Sequence, residues 1–252
     1  MKKQFVIATM VLLAGATLAL AADVPTLVSG SSGGQSVVPA AEFAVLWDQP
    51  LSAVNTNAYA NQDFETLYDA YDIFIADDFV VPAGGWSISA IFVPNNAWNP
   101  GVDISCVSLL YFEIYADAAG MPAGYPGGGA PLWSLAVAPG DSQITLTAGT
   151  GGWLTNVLAT LTTPAQIPAA GTYWFVFYPS GEYAVCGQYG RQPSDTTNGA
   201  AAMVINPAGG FGFPTTWTSV QASTTWALAE QDFAFRLEGE IIPVELLTFD
   251  VE

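Results

Sequence analysis

Short runs of β-branched and aromatic residues, interrupted by Gly, Pro, Asn or Asp, dominate this chain, and apolar spacing at a helical period is nearly absent. Runs of that kind read as strands, and the interrupting residues read as turns. They include "SISAIFVP" (87–94), "SCVSLLYFEIYAD" (105–117), "LWSLAVAP" (132–139), "SQITLTA" (142–148) and "GTYWFVFYPS" (171–180). Further along, "AVCGQY" (184–189), "AAMVINP" (201–207), "TWALAE" (225–230) and "DFAFRLEGEI" (232–241) have the same character. Tyr173 to Tyr178 is wholly apolar or aromatic, which predicts a central strand packed on both sides. From Phe112 to Asp117 the polar residues do not alternate strictly, so that strand is also expected to be covered on both faces. The stretches at 120–131, 147–153 and 206–214 are glycine-permissive connections. Many short strands, long loops and no helices predict an all-β fold: a two-layer antiparallel β-sandwich, jelly-roll-like.

The N-terminus predicts the compartment. Lys2 and Lys3 precede an apolar run ending in Ala19-Leu20-Ala21, the pattern of a secretory signal peptide over residues 1–21. Residues 22–40 read as a flexible leader, 41–242 as the sandwich domain and 243–252 as a tail or edge strand. No later run is long enough to insert in a membrane once the signal is removed. Cleavage leaves Arg191 and Arg236 against 22 acidic residues, a formal charge of −20. A chain so acidic repels phosphate backbones and anionic headgroups, so nucleic acid is not an expected partner. With 51% hydrophobic residues it is nonetheless a folding sequence rather than an acidic tail.

The chain has no histidine, which excludes Ser-His-Asp and Cys-His catalysis and histidine-ligated metals. Without a lysine beyond the signal, Schiff-base chemistry goes as well. Carboxylate pairs and oxygen-ligated metals such as calcium remain. The two cysteines, Cys106 and Cys186, are expected to form one disulfide in an oxidising compartment.

Four segments carry a family resemblance. They are Tyr68–Asp72 with Ala76–Trp86 ("ADDFVVPAGGW"), Tyr115–Gly124 ("YADAAGMPAG"), Gly171–Trp174 ("GTYW") and Asp232–Gly239 ("DFAFRLEG"). Together they resemble a group of exported bacterial β-sandwich domains found in secreted and surface-anchored proteins, often beside adhesion or carbohydrate-binding modules. The resemblance spans about residues 43–240 and implies a fold and a location, without a settled activity.

Asp77 and Asp78 are the first candidates for chemistry. Neighbours on a regular strand point to opposite faces, so the pair reads as polar punctuation at the start of a strand. The alternative is a calcium site in which Asp69, Asp72 or Asp63 and backbone carbonyls join the pair. Tryptophans in Gly-, Pro-, Asn- or Thr-rich stretches suggest a sugar-stacking surface: Trp98, Trp133, Trp153 and Trp217, with Asn95, Asn96 and Tyr189 nearby. The opposing reading is that they plug the ends of the sandwich. Glu113 and Glu182 sit beside aromatic residues and are the candidate pair for glycoside hydrolysis. Arg236 is expected to pair with Asp78 or Asp232.

The reading favoured by these residues is a secreted, non-catalytic module. It would bind an extracellular polysaccharide or a cell-surface matrix through loop aromatics. The alternatives are an adhesive matrix protein that takes divalent cations and a carboxylate-based polysaccharide hydrolase.

Overall fold

The structure is a computed structural model that describes residues 24–31, 39–99, 101–149, 154–223, 225–226 and 228–242. The first strands are β1 (Val28–Ser31), β2 (Ala44–Gln49), β3 (Asn57–Ala60), β4 (Asp63–Phe64), β5 (Phe74–Val81) and β6 (Trp86–Trp98). Then come β7 (Leu109–Ala116), β8 (Trp133–Val137), β9 (Ile144–Ala148), β10 (Leu154–Ile167) and β11 (Gly171–Gly181). A single helical turn, α1 (Tyr183–Cys186), precedes β12 (Gln188–Arg191), β13 (Pro193–Ser194) and β14 (Met203–Ile205). The last are β15 (Thr218–Ser219), β16 (Asp232–Phe233) and β17 (Phe235–Ile241). The fold is all-β, as the turn-punctuated sequence predicts.

Two large sheets carry the architecture. The first runs β1-β3-β12-β6-β10-β9, with β17 also on β6 and β2 on β17. The second runs β15-β14-β5-β11-β7-β8, with β4 alongside β11. Pairings are antiparallel except β4 with β11, which is parallel. Alternation on the central strands makes the core. Phe79 and Val81 of β5, Leu110, Phe112 and Ile114 of β7, and Tyr173, Phe175 and Phe177 of β11 face inward. They pack on Ile91 and Val93 of β6, Val157 and Ala159 of β10, and Leu237 of β17. The complementary residues of the second sheet (Phe74, Ala76, Tyr115, Trp174, Val176 and Tyr178) form a separate apolar layer on its outer face. Thus β11 is packed on both sides, and so is most of β7.

Long β6 shows why the sequence looks more broken than the fold. "VPNNAW" reads as a loop because of Pro94 and two asparagines, yet it continues the strand to Trp98. One edge of β6 is shared: β17 pairs with its first part up to Phe92, and β12 pairs with Asn95 to Trp98. Pro94 falls in the interval between those partners, a place that tolerates a residue without an N–H.

The stretch expected as a leader is partly in the fold. Val28 pairs with Tyr59 and Ser31 with Asn57, so the domain begins before position 41. Backbone pairing joins this short segment to the sheet, and Leu27 and Val28 pack against the neighbouring apolar cluster. The signal peptide and the 243–252 segment lie outside the described residues. No helix among the described residues is long and apolar enough to cross a membrane.

Candidate functional site

A cleft of about 390 Å³ opens on the outer face of the second sheet, lined by Asp63, Asp72, Phe74, Tyr111, Glu113, Pro126, Gly127 and Tyr178. Its floor follows from strand alternation. Tyr111, Glu113 and Tyr115 recur at every second position of β7, and Trp174, Val176 and Tyr178 do so on β11. Tyr111 sits directly across from Tyr178, and Glu113 across from Val176. The two tyrosine rings stack with centroids 4.7 Å apart and planes 4° from parallel, while Phe74 meets Tyr178 edge-on at 4.9 Å. Tyr178 is buried and Tyr111 half-buried, so Tyr111 is the ring of the pair with more surface toward solvent.

Glu113 is gripped from both sides. Tyr115 donates its hydroxyl to Oε2 at 2.6 Å, and Tyr178 donates to Oε1 at 3.1 Å. Burial first, and then the neighbouring Glu113 carboxylate, hold both phenols well above their ordinary range. Asp72 comes from the turn ahead of β5, where Oδ1 accepts the Phe64 amide at 2.8 Å. Burial pushes its carboxyl up to about 7, against that amide, and the charges of Asp63 and Asp69 add to the rise. Asp63, from β4, is also raised, chiefly by burial, with the Ser180 hydroxyl opposing. The cleft therefore combines an aromatic step with three carboxyl groups, Asp63, Asp72 and Glu113.

Of the residues expected to bind calcium, Asp63 and Asp72 share the cleft, but Asp77 and Asp78 do not join them. Asp69 is exposed on the turn Asp69–Tyr71, and Asp72 caps that turn. Asp77 and Asp78 lie in the middle of β5, not at its start, and both are buried. As alternation predicts, they face opposite ways. Asp77 turns inward to accept the Phe233 amide at 2.6 Å. Asp78 turns outward to accept the Ala200 amide, with Gly199 so close that a side chain there would collide with the carboxylate. No group of three or more His, Cys, Asp or Glu among the described residues is arranged to hold a metal ion.

Most residues expected to stack on sugars are structural. Asn95, Asn96, Trp98 and Tyr189 are buried where β6 meets β12. Asn96 Oδ1 accepts the Ala97 amide, and Asn95, in the amide orientation that satisfies both its atoms, donates to the Gly190 carbonyl at 3.1 Å. Trp98 donates to Thr26 and Tyr189 to the Asp103 carbonyl. Trp133 packs half-buried against the core. Trp217 is the member of that set on the outer face: it donates to the Gly124 carbonyl and lines an apolar hollow with Met121 and Tyr125. Trp153 lies outside the described residues. Glu182 is remote from the role foreseen for it, at the start of α1, where it lines a different cleft with Glu65 and the disulfide. Arg236 pairs with Glu238 at 2.6 Å, two positions along the same strand, and not with Asp78 or Asp232.

Tyr111 and Tyr178 were not among the expected binding residues. The period of two in "YFEIY" marks Tyr111 as sharing a face with Glu113, and that signal was available. What alternation does not disclose is which face remains open.

The upward shifts have a consequence for stability. Asp72 lies near 7, Asp78 and Asp232 near 6, and Asp77, Asp63 and Asp48 are raised as well, each mainly by burial. A folded-state value above the unfolded one means that the native chain binds more protons. This contribution is complete below about pH 4 and is lost as pH rises through 6 to 7. Reduced self-repulsion of the acidic chain acts in the same sense. Discounting the partly solvated groups, the melting temperature at pH 5 should exceed that at pH 8 by roughly 5 °C. A melting temperature that climbs with pH over this window would contradict the assignment.

No protein-family model matches the chain, and no curated protein or solved structure matches it.

Proposed function

We propose that this chain is a secreted, non-catalytic β-sandwich of jelly-roll form that binds an extracellular polysaccharide or a matrix built from one. In this reading it is a member of the exported bacterial group that its motifs resemble. The observation that carries the reading is the Tyr111–Tyr178 stack beside Asp63, Asp72 and Glu113 in one open cleft. Sugar rings pack their C–H faces on aromatic rings, and carboxylates accept bonds from sugar hydroxyls. Here the recognising aromatics stand on a sheet face and not in loops. Glycan-array screening followed by calorimetry tests this. Tyr111→Ala should weaken binding about tenfold or more, with a fall of a few degrees in melting temperature for the lost ring stack. Absence of binding to any glycan by the unaltered chain retires the proposal.

Asp72 favours a second reading, a carboxylate-based polysaccharide hydrolase. A carboxyl near 7 is half protonated at neutral pH and suited to general-acid work beside an ionised partner. Release of reducing ends, abolished by Asp72→Asn with binding retained, would establish that reading over the first.

A further inference from the structure

We propose that the Tyr111–Tyr178 cleft selects sugars bearing a protonated amine, a choice that presupposes the carbohydrate reading above. The charge distribution supports it first. The ionisable side chains on the walls are Asp63, Asp72, Glu113 and the tyrosines, with no cation among them. Among the described residues, moreover, the only two cationic side chains are both buried away from this face. Arg191 is enclosed by Phe175, Phe233 and Phe235, and Arg236 by Glu238 and Phe92. The cleft has no internal partner for its charge.

Hydrogen-bond polarity supports it second. Ionised carboxylates only accept, and Glu113 is held as an acceptor by two phenol hydroxyls that already spend their protons on it. An ammonium group only donates. A uronate brings more acceptors to acceptors and is repelled. A neutral sugar or an N-acetyl group gains no charge term. The tyrosine step adds to the preference, because an aromatic face attracts a cation as well as a sugar ring. Burial chiefly, and neighbouring like charges in smaller part, raise the carboxyls of Asp72 and Asp63, and a bound ammonium would offset both by favouring their charged forms.

Calorimetry on the full disulfide-bonded chain, at pH 6 and physiological salt, separates the possibilities. Glucosamine trimer is compared with its N-acetylated counterpart, cellotriose and trigalacturonate. The amine-bearing trimer should bind about tenfold more tightly than either neutral trimer, with no binding of the uronate. Asp63→Asn should lower affinity for the amine-bearing trimer several-fold more than for either neutral trimer. Equal affinity for all three uncharged and amine-bearing trimers overturns the selectivity while leaving the carbohydrate reading standing. A preference that survives Tyr111→Ala also overturns it, since that outcome means diffuse attraction to an acidic surface. Failure of every trimer, together with a blank glycan array, removes the carbohydrate reading itself.

Discussion

Arg191→Met lowers unfolding free energy by about 2–4 kcal/mol, the combined loss of a charged hydrogen bond and of contacts with three aromatic faces. Arg191 has no exposed surface and lies with its guanidinium carbon 5.6–5.8 Å from the centroids of Phe175, Phe233 and Phe235. Nη2 donates to the Ala234 carbonyl at 3.3 Å, while Nε and Nη1 have no partner among the described residues. Burial depresses its affinity for the proton to about 10, with Asp77 opposing, so the side chain remains a cation at neutral pH. Asp77 in turn is pushed up by burial and by Asp232, with Arg191 pulling it back. The pair brackets one segment: Asp77 of β5 holds the Phe233 amide, and Arg191 of β12 holds the Ala234 carbonyl. It thereby fastens the second sheet to the first through the chain around Phe233. Methionine keeps most of the volume among the phenyl rings, so the loss reports charge more than cavity. Asp77→Asn should cost about 1–2 kcal/mol, since the amide still accepts the Phe233 N–H and only the attraction to the cation is lost. The double variant Arg191→Met/Asp77→Asn should cost less than the sum of the two single losses, because each single change already removes the attraction between the two side chains. Urea unfolding with the disulfide intact measures all three. Additive losses would mean that the two residues act independently, and the coupling would be refuted.

That pair also shows where sequence reasoning reaches its limit. The strands β7 and β11 are legible because their apolar runs are long and lie in the middle of a sheet, where burial alone shapes composition. Strand β10 is not, since Thr, Pro164 and Gln166 interrupt its pattern; its pairing with β6 slips between Thr160 and Ala165, and the break in register matches the break in alternation. "AVCGQY" reads as one strand, yet it divides at Gly187, whose positive φ of 79° turns the chain from α1 into β12. "TWALAE" has strand composition without a strand: Trp226 and Leu228 fill a second core with Tyr59 and Phe233. Residue type there records burial and says nothing of backbone pairing. The cleft suffers from the same ambiguity. Asp72 and Glu113 are each visible as candidates, but their meeting depends on β4, whose Phe64 amide Asp72 accepts, and β7 both pairing with β11. Tertiary adjacency of that kind has no local signature. The tryptophans misled for a related reason, since short polar residues beside an aromatic describe a buried strand crossing as well as they describe an open loop.

Removing the Cys106–Cys186 bridge should cost about 4 kcal/mol, or roughly 10 °C in melting temperature, by the chain-entropy relation for so long a loop. The cysteines are 80 positions apart with Cα atoms 5.6 Å from each other. They join two short elements outside the sheets, the turn Ile104–Cys106 and α1. Between them lie β7 to β11, whose mutual pairing already closes the loop in the folded chain. Beside the bridge, Ser108 donates its amide to the Ser180 carbonyl, so the native ends are held together without the sulfurs. The native structure should therefore survive Cys106→Ala/Cys186→Ala, and the loss should come from the freer unfolded chain. Two readouts distinguish this from simple damage. The denaturant slope should rise, because an unfolded chain without the link exposes more surface. Glycan affinity well below the melting temperature should be unchanged, because the Tyr111–Tyr178 step is set by the register between β7 and β11. A variant that melts with the parent's slope but has lost the cleft would show that the bridge shapes the native site, contrary to the entropic account.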